Sequence, residues 1–220
     1  MKIVHGVVLS LVMILFLAPL IHGQDLSKYR DFSLGMSVAD IAKQINKQPT
    51  DAIMVHDRPA LIQQLTWWPS LALGFALRTE AVQWVRFSFY NGELYKIGVT
   101  YDIFATRGLT AGDMIQTMSQ NYGIAAIPIY GTVEKDGATN QVLARWQDPQ
   151  YSVSLLRSSL SNSFGLVLFT KGVAARAEAA SAEAVTLEQQ EAPEKELARA
   201  QKAADDLETQ RQENMKAFRP

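Results

Sequence analysis

The sequence predicts an α+β protein: two tandem units, each a helix laid on an antiparallel meander, followed by a long C-terminal helix. Three observations predict it. The phrase GMSVADIAKQI at Gly35 returns as GLTAGDMIQTM at Gly108, an offset of 108 − 35 = 73 residues. After each phrase comes a short strand ending in Trp and Pro and then a hairpin: LTWWP with VQWVRFSFYNGELYKIGVTY, and LARWQDP with YSVSLLRSSLSNSFGLVLFT. Beyond Lys171 the composition turns to Ala, Glu, Gln and Lys, which favours helix. The expected divisions are 1–23 for an export signal, 24–105 and 106–172 for the two units, and 173–220 for a charged, Ala-rich tail.

At the N-terminus, Met1-Lys2 precedes the apolar run VVLSLVMILFLA, and Gly23 precedes the polar QDLSKYRD, the pattern of a secretory signal cleaved after Gly23. The run is shorter than the roughly 20 apolar residues a membrane span needs, so membrane contact is expected only if the signal is retained. The mature chain is then expected to be periplasmic or extracellular. It has no Cys, hence no disulfide framework, thiol nucleophile or lipid-bearing Cys. The charge balance, 21 Lys plus Arg against 22 Asp plus Glu, lacks the basic excess of a nucleic-acid binder.

Both repeated phrases have the form of a helix start. Ser37 is the expected N-cap with Asp40 at the third helical position, and Thr110 pairs with Asp113 in the same way. Met36 with Ile41, and Leu109 with Met114, stand at the staple positions. The apolar stripes are Val38, Ile41 and Ile45 in the first helix and Met114, Ile115, Met118 and Tyr122 in the second. Pro49 is expected to stop the first helix near Lys47, and Gly123 to cap the second.

For the first hairpin the alternating pattern favours a three-residue loop, Tyr90-Asn91-Gly92, with Gly92 in the bulge position. Phe87 then faces Tyr95, Val85 faces Ile97 and Arg86 faces Lys96, burying Val85, Phe87, Phe89, Tyr95, Ile97, Val99 and Tyr101. In the second hairpin Val153, Leu155, Leu166 and Leu168 take that part, and IPIYGTVEK holds a possible extra strand. The segment SLALGFALRTE, residues 70–80, fits either another strand or an exposed binding loop.

The Gly-Met-Ser helix start and the FSFYNGELYKIGVTY hairpin, once per unit, resemble the small SmpA/OmlA (BamE-like) domain, and two in tandem resemble the architecture of the β-lactamase inhibitor protein. The similarity spans roughly residues 29–171. It implies the fold of that domain twice over; the expectation of an exported, non-enzymatic protein-binding protein comes from the duplication, the outward Trp84, Arg86 and Lys96 set and the tail. The lipidated Cys of the outer-membrane lipoproteins and the disulfides of the inhibitor are missing here, so neither anchoring nor target carries over.

Few residues suit catalysis. Once the signal is removed His56 is the one imidazole left, and MVHDRPA has no nucleophile elbow near it. His56-Asp57 supplies too few ligands for a metal, and no phosphate loop or dinucleotide fingerprint occurs, so no cofactor is implied. A hydrolase is the least favoured reading. The notable residues are Trp67, Trp68, Trp84 and Trp146. Trp84, Arg86 and Lys96 share the outward hairpin face, the composition of a recognition hot spot for another envelope or extracellular protein. Alternatively, Trp67, Trp68 and Trp146 wall a cleft between the units that binds a small ligand or cell-wall fragment. The structural alternative is that these Trp residues cover a sheet edge or pack beneath the second unit.

In the tail, Pro193 suits the first position of a second helical segment, supported by Glu191–Lys195 and Glu196–Arg199 pairs. Leu197, Ala200, Ala204, Leu207, Arg211, Asn214 and Phe218 follow a three-four rhythm with two large aliphatics among them. A short coiled coil that forms an oligomer and a solitary solvated helix both fit that pattern.

Overall fold

A computed structural model describes residues 25–69, 81–128, 131–135 and 138–219. The expected export signal, 1–23, and the apolar segment 70–80 lie outside the described residues. The fold is mixed α+β. In chain order it contains β1 (Lys28–Tyr29), β2 (Phe32–Ser33), α1 (Val38–Gln44), β3 (Ile53–His56), β4 (Ile62–Trp67), β5 (Val82–Tyr90), β6 (Glu93–Tyr101), α2 (Ala111–Tyr122), β7 (Thr132–Lys135), β8 (Ala138–Gln147), β9 (Tyr151–Ser158), β10 (Phe164–Thr170) and α3 (Lys171–Ala217). β1 and β2 form a small ladder, and the other eight strands form one antiparallel sheet in the order β3-β4-β5-β6-β10-β9-β8-β7.

The helix starts are built as the sequence predicts. The Asp40 amide donates to Ser37 Oγ at 3.1 Å while the Ser37 amide donates to Asp40 Oδ2 at 3.4 Å. Thr110 and Asp113 repeat the exchange at 3.2 and 2.7 Å, and those hydrogen bonds from Thr110, its backbone amide first, hold the Asp113 carboxyl below its usual range. The staple differs between the two helices: Met36 packs on the core, whereas Leu109 stays exposed. α1 also ends sooner than Pro49 would dictate. Asn46 turns left-handed at φ 56°, its amide reaches Lys43 O and the Lys47 amide reaches Ala42 O, a Schellman closure that stops the helix at Gln44.

The first hairpin takes a different turn from the one the alternating pattern favours. Asn91 and Gly92 both have positive φ, 50° and 84°, and Tyr90 pairs with Glu93, so the loop has two residues. Such a turn matches the strand twist. A bulge beside Ser88 and Phe89 then absorbs Tyr95 as an extra residue, so Phe87 faces Ile97, Val85 faces Val99 and Arg86 faces Gly98. Leu94 takes the buried place expected for Tyr95, and the other six expected residues are buried. A second bulge beside Val82 and Trp84 sets Gln83 aside and aligns Trp84 with Thr100. The first meander has one strand more than expected, β3, which forms an edge of the sheet.

The core fills one side of the sheet. α1, α2 and the β1–β2 ladder place Ile41, Met114, Met118, Tyr29 and Phe32 in one cluster with Phe87, Ile97, Val99, Leu155, Leu166 and Leu168. At the centre β6 meets β10 with Val99 opposite Leu166 and Ile97 opposite Leu168, all four at 0% exposure. Tyr122 reaches across to donate its hydroxyl to Lys28 O at 3.0 Å, and burial pushes that phenol's pKa up.

α3 lies on the opposite side. Its Ala174, Ala177, Ala180 and Ala184 are buried, a small-residue stripe at three-four spacing that lets the helix approach the strands closely. The tail is one helix rather than two segments, and Pro193 lies inside it. Loss of one backbone hydrogen bond at an exposed site, flanked by strong helix formers, does not break the helix here.

Leu166→Ala should destabilise the chain by about 2–5 kcal/mol, since the cavity opens in the central pairing. Gly92→Ala should cost about 1–2 kcal/mol through the left-handed backbone alone. Urea unfolding checks both, and a Leu166→Ala cost below that of Gly92→Ala would contradict this account of the core.

Candidate functional site

The face opposite the core carries the candidate site, and strand register determines which residues share it. Across the sheet, one row reads Gln64, Ser88, Lys96, Phe169, Ser152 and Gln147, and the next reads Thr66, Arg86, Gly98, Val167, Ser154 and Arg145. A third reads Trp84, Thr100, Gly165, Leu156 and Val142. Arg86, Lys96 and Arg145 thus stand on one face, and no residue of these three rows is a carboxylate. Arg145 Nε donates to Ser154 Oγ at 3.3 Å, and the Arg86 guanidinium lies 5.0 Å from the Trp84 ring centroid.

Of the residues singled out in the sequence, the structure brings Trp84, Arg86 and Lys96 to this face. The other three tryptophans are elsewhere. Trp146 is 2% exposed in the core, its indole donates to Gly123 O at 2.8 Å, and Tyr122 lies 5.9 Å from it. Trp67 meets Phe32 edge to face at 5.6 Å on the core side. Trp68 is 43% exposed beside Lys47, whose ammonium lies 5.9 Å from its ring. Trp146 is buried in the core, Trp67 packs on Phe32 and Trp68 is exposed beside Lys47, so the three do not stand together as walls of one cleft.

The first part of α3 crosses the end of this face near the Asn91-Gly92 turn. Arg176 lies 5.7 Å from the Tyr90 ring, His56 Nδ1 is 3.1 Å from Glu188 Oε1, and Arg58 grips both oxygens of Glu191 at 2.9 and 2.8 Å. Lys195 adds a 2.9 Å contact to the same carboxylate. These groups form a latch: the hydrogen bond from Arg58, then that from Lys195, lowers the Glu191 pKa from 4.5 to about 2. Glu178 faces Tyr95, whose phenol is shifted up by burial first and by that carboxylate second. From Lys171 to Glu188 the helix rises about 26 Å, enough to pass obliquely over the roughly 19 Å from β10 to β3.

Beyond the latch the helix leaves the body. Residues 192–219 are all exposed, including Leu197, Leu207, Met215 and Phe218. The helical part of this arm, residues 192–217, is about 39 Å long. Sequence reasoning finds the arm's stripe but not where the helix parts from the sheet, since the latch joins residues 133 positions apart.

The end of the face away from α3 holds a cleft of about 270 Å³. It opens at the seam between β6 and β10 and is bordered by Trp84, Thr100, Asn140, Leu156 and the β9–β10 loop. No cluster of three His, Asp or Glu residues suited to a metal ion occurs among the described residues, and no helix there is long and apolar enough to cross a membrane. His56, the candidate imidazole, is engaged by Glu188. No protein-family model, curated protein or solved structure matches this chain.

The latch predicts a pH dependence. Glu191 has a folded-state pKa below its unfolded value, so its contribution is present above about 4.5 and is lost as pH falls toward about 2. Arg58→Ala should lower the melting temperature at pH 6, and the gap to the parent chain should close as pH drops through that window. A gap independent of pH would contradict the assignment.

Proposed function

We propose that this chain is an exported, non-enzymatic protein-binding component of a cell envelope, working through the part of the outer sheet face that α3 leaves uncovered and through the projecting end of α3. The observation that carries the proposal is the division of one helix. Residues 171–191 include every buried position and the latch carboxylates Glu188 and Glu191, whereas 192–219 include no buried position. This part of the helix has no tertiary packing, the usual main source of helical stability, and it exposes Leu197, Leu207, Met215 and Phe218. Such a segment gains stability by docking on another protein.

The cationic rows on the sheet support the same reading and suggest an acidic partner surface. The leading apolar segment favours export. The strand order, which has the last strand of each meander at the centre, supports a duplicated unit of the SmpA/OmlA type over residues 29–171.

The test uses residues 24–220 and 24–191 as paired baits on an envelope extract, followed by titration with the purified partner. The longer chain should bind saturably and the shorter at least about tenfold more weakly, with equal melting temperatures, because the arm contributes to binding and not to the fold. Leu197→Asp with Leu207→Asp should reproduce the loss. Equal binding by both chains would remove the arm from the proposal, and no binding by either would overturn the protein-binding reading.

A further inference from the structure

Large apolar side chains stand exposed together at the end of the sheet away from the crossing of α3. There β6 gives way after Tyr101 to the loop 102–109, and β10 is entered from the β9–β10 loop, 159–163. Because β6 pairs with β10, the two loops leave the sheet side by side. The first holds out Ile103, Phe104 and Leu109, and the second holds out Leu160, with Phe104 63% and Leu160 82% exposed. Such a cluster, rimmed by polar residues, marks a contact with an apolar surface.

The backbone selects what that surface is. Asp102 Oδ1 accepts the Phe104 amide at 2.7 Å and the Ala105 amide at 3.0 Å, and Asp102 O accepts the Thr106 amide at 3.0 Å and its hydroxyl at 2.8 Å. The Arg107 amide turns back to Phe104 O, and the Leu109 amide to Thr106 O. In the second loop the Leu160 and Ser161 amides reach Ser158 Oγ, each at 3.3 Å, and the Asn162 amide reaches Ser158 O at 3.0 Å. Both tips thus spend these amides on themselves. A segment recognised by strand addition keeps its backbone groups open, whereas one that sinks into a lipid interface has to satisfy them internally.

Charge agrees with the backbone. Asp102 and Arg107 are the only charged residues of 102–109 and 159–163, and the Asp102 carboxylate is taken up by its own turn. The exposed Arg107 guanidinium lies 5.1 Å from the Phe104 ring centroid. An arginine so placed keeps its stem beside the ring while its head stays at headgroup level. We infer that this end of the sheet rests on a lipid surface, with Ile103, Phe104, Leu109 and Leu160 entering the interface and Arg107 meeting headgroup phosphates. The contact uses no residue of α3 and goes beyond the protein-binding reading, so either can fail alone.

The experiment is co-sedimentation with vesicles of phosphatidylcholine, and of an equimolar phosphatidylcholine–phosphatidylserine mixture. It uses residues 24–220, which keep every described residue and leave out the apolar leader. The chain should bind both kinds of vesicle. Ile103→Ser with Phe104→Ser should weaken binding at least about tenfold at unchanged melting temperature, because both side chains are exposed. Leu160→Ser, on the separate loop, should weaken it at least about threefold, and decides the matter if the double variant does not fold. Arg107→Glu should weaken binding to the anionic mixture more than to phosphatidylcholine. Ile124→Ser, at a residue 95% exposed beyond the opposite end of α2, should bind as the parent chain does. The inference is overturned if neither vesicle is bound at millimolar lipid, if the double variant or Leu160→Ser binds normally, or if Ile124→Ser weakens binding as much. It is also overturned if vesicles are ignored while the double variant melts earlier, which would mean that another part of the chain covers the tip. Capture of a protein that depends on Phe104, with vesicles ignored, would put a protein in place of the lipid and overturn it too.

Discussion

The pairing of β6 with β10 is the constraint from which the rest of the architecture follows. Each is the last strand of its meander, and their inward residues, Ile97 and Val99 against Leu166 and Leu168, are wholly excluded from water. With both last strands at the centre, the earliest strands β3 and β7 become the edges, and the two halves share one sheet. α1 and α2 then contribute to a single hydrophobic cluster on one side, which the β1–β2 ladder completes with Tyr29 and Phe32. Neither half has to form a core alone, which matters for a disulfide-free chain whose stability must come from burial.

The same pairing dictates what α3 does. The chain leaves β10 in the middle of the sheet, where the core side is already filled, so the helix that follows crosses the other side. The fully buried residues of its first part are alanines, and small residues bury little apolar area. The polar latch of Arg58 with Glu191 and His56 with Glu188 supplies the remaining attachment at the β3 edge. Past that edge the helix has no sheet beneath it. The arm is thus a geometric consequence of a helix longer than the sheet is wide, and the uncovered end of the face, with Trp84 and the seam cleft, is a consequence of the helix crossing at the other end.

Local chemistry made much of this fold legible. The Ser37–Asp40 and Thr110–Asp113 boxes, the glycine after Tyr122, and the alternation through Val85, Phe87, Ile97 and Val99 each depend on residues a few positions apart. What escaped was nonlocal or a matter of one residue. The bulges that displace Gln83 and Tyr95 shift the register by a single residue, and a pattern of alternation has no way to signal an insertion it has to absorb. Trp146 looked like a recognition residue because its one polar atom has its partner at Gly123, 23 positions away in sequence. Pro193 suggested a boundary that the flanking helix formers override. The cleft depends on Gly165 meeting Thr100 across the seam, a contact that exists only once the two halves are joined.

The central claim is that α3 is half structural element and half binding arm, and hydrogen–deuterium exchange along that helix tests it directly. In the isolated chain, amides of residues 175–191 should exchange slowly, as those of β10 do, because opening them means lifting the helix from the sheet. Amides of residues 195–217 should exchange orders of magnitude faster and become protected when the protein partner binds. Uniform protection from 175 to 217 in the isolated monomer would mean that the arm already has a place in the fold, and fast exchange throughout would mean that the helix is not seated on the sheet at all. Either result would contradict the account.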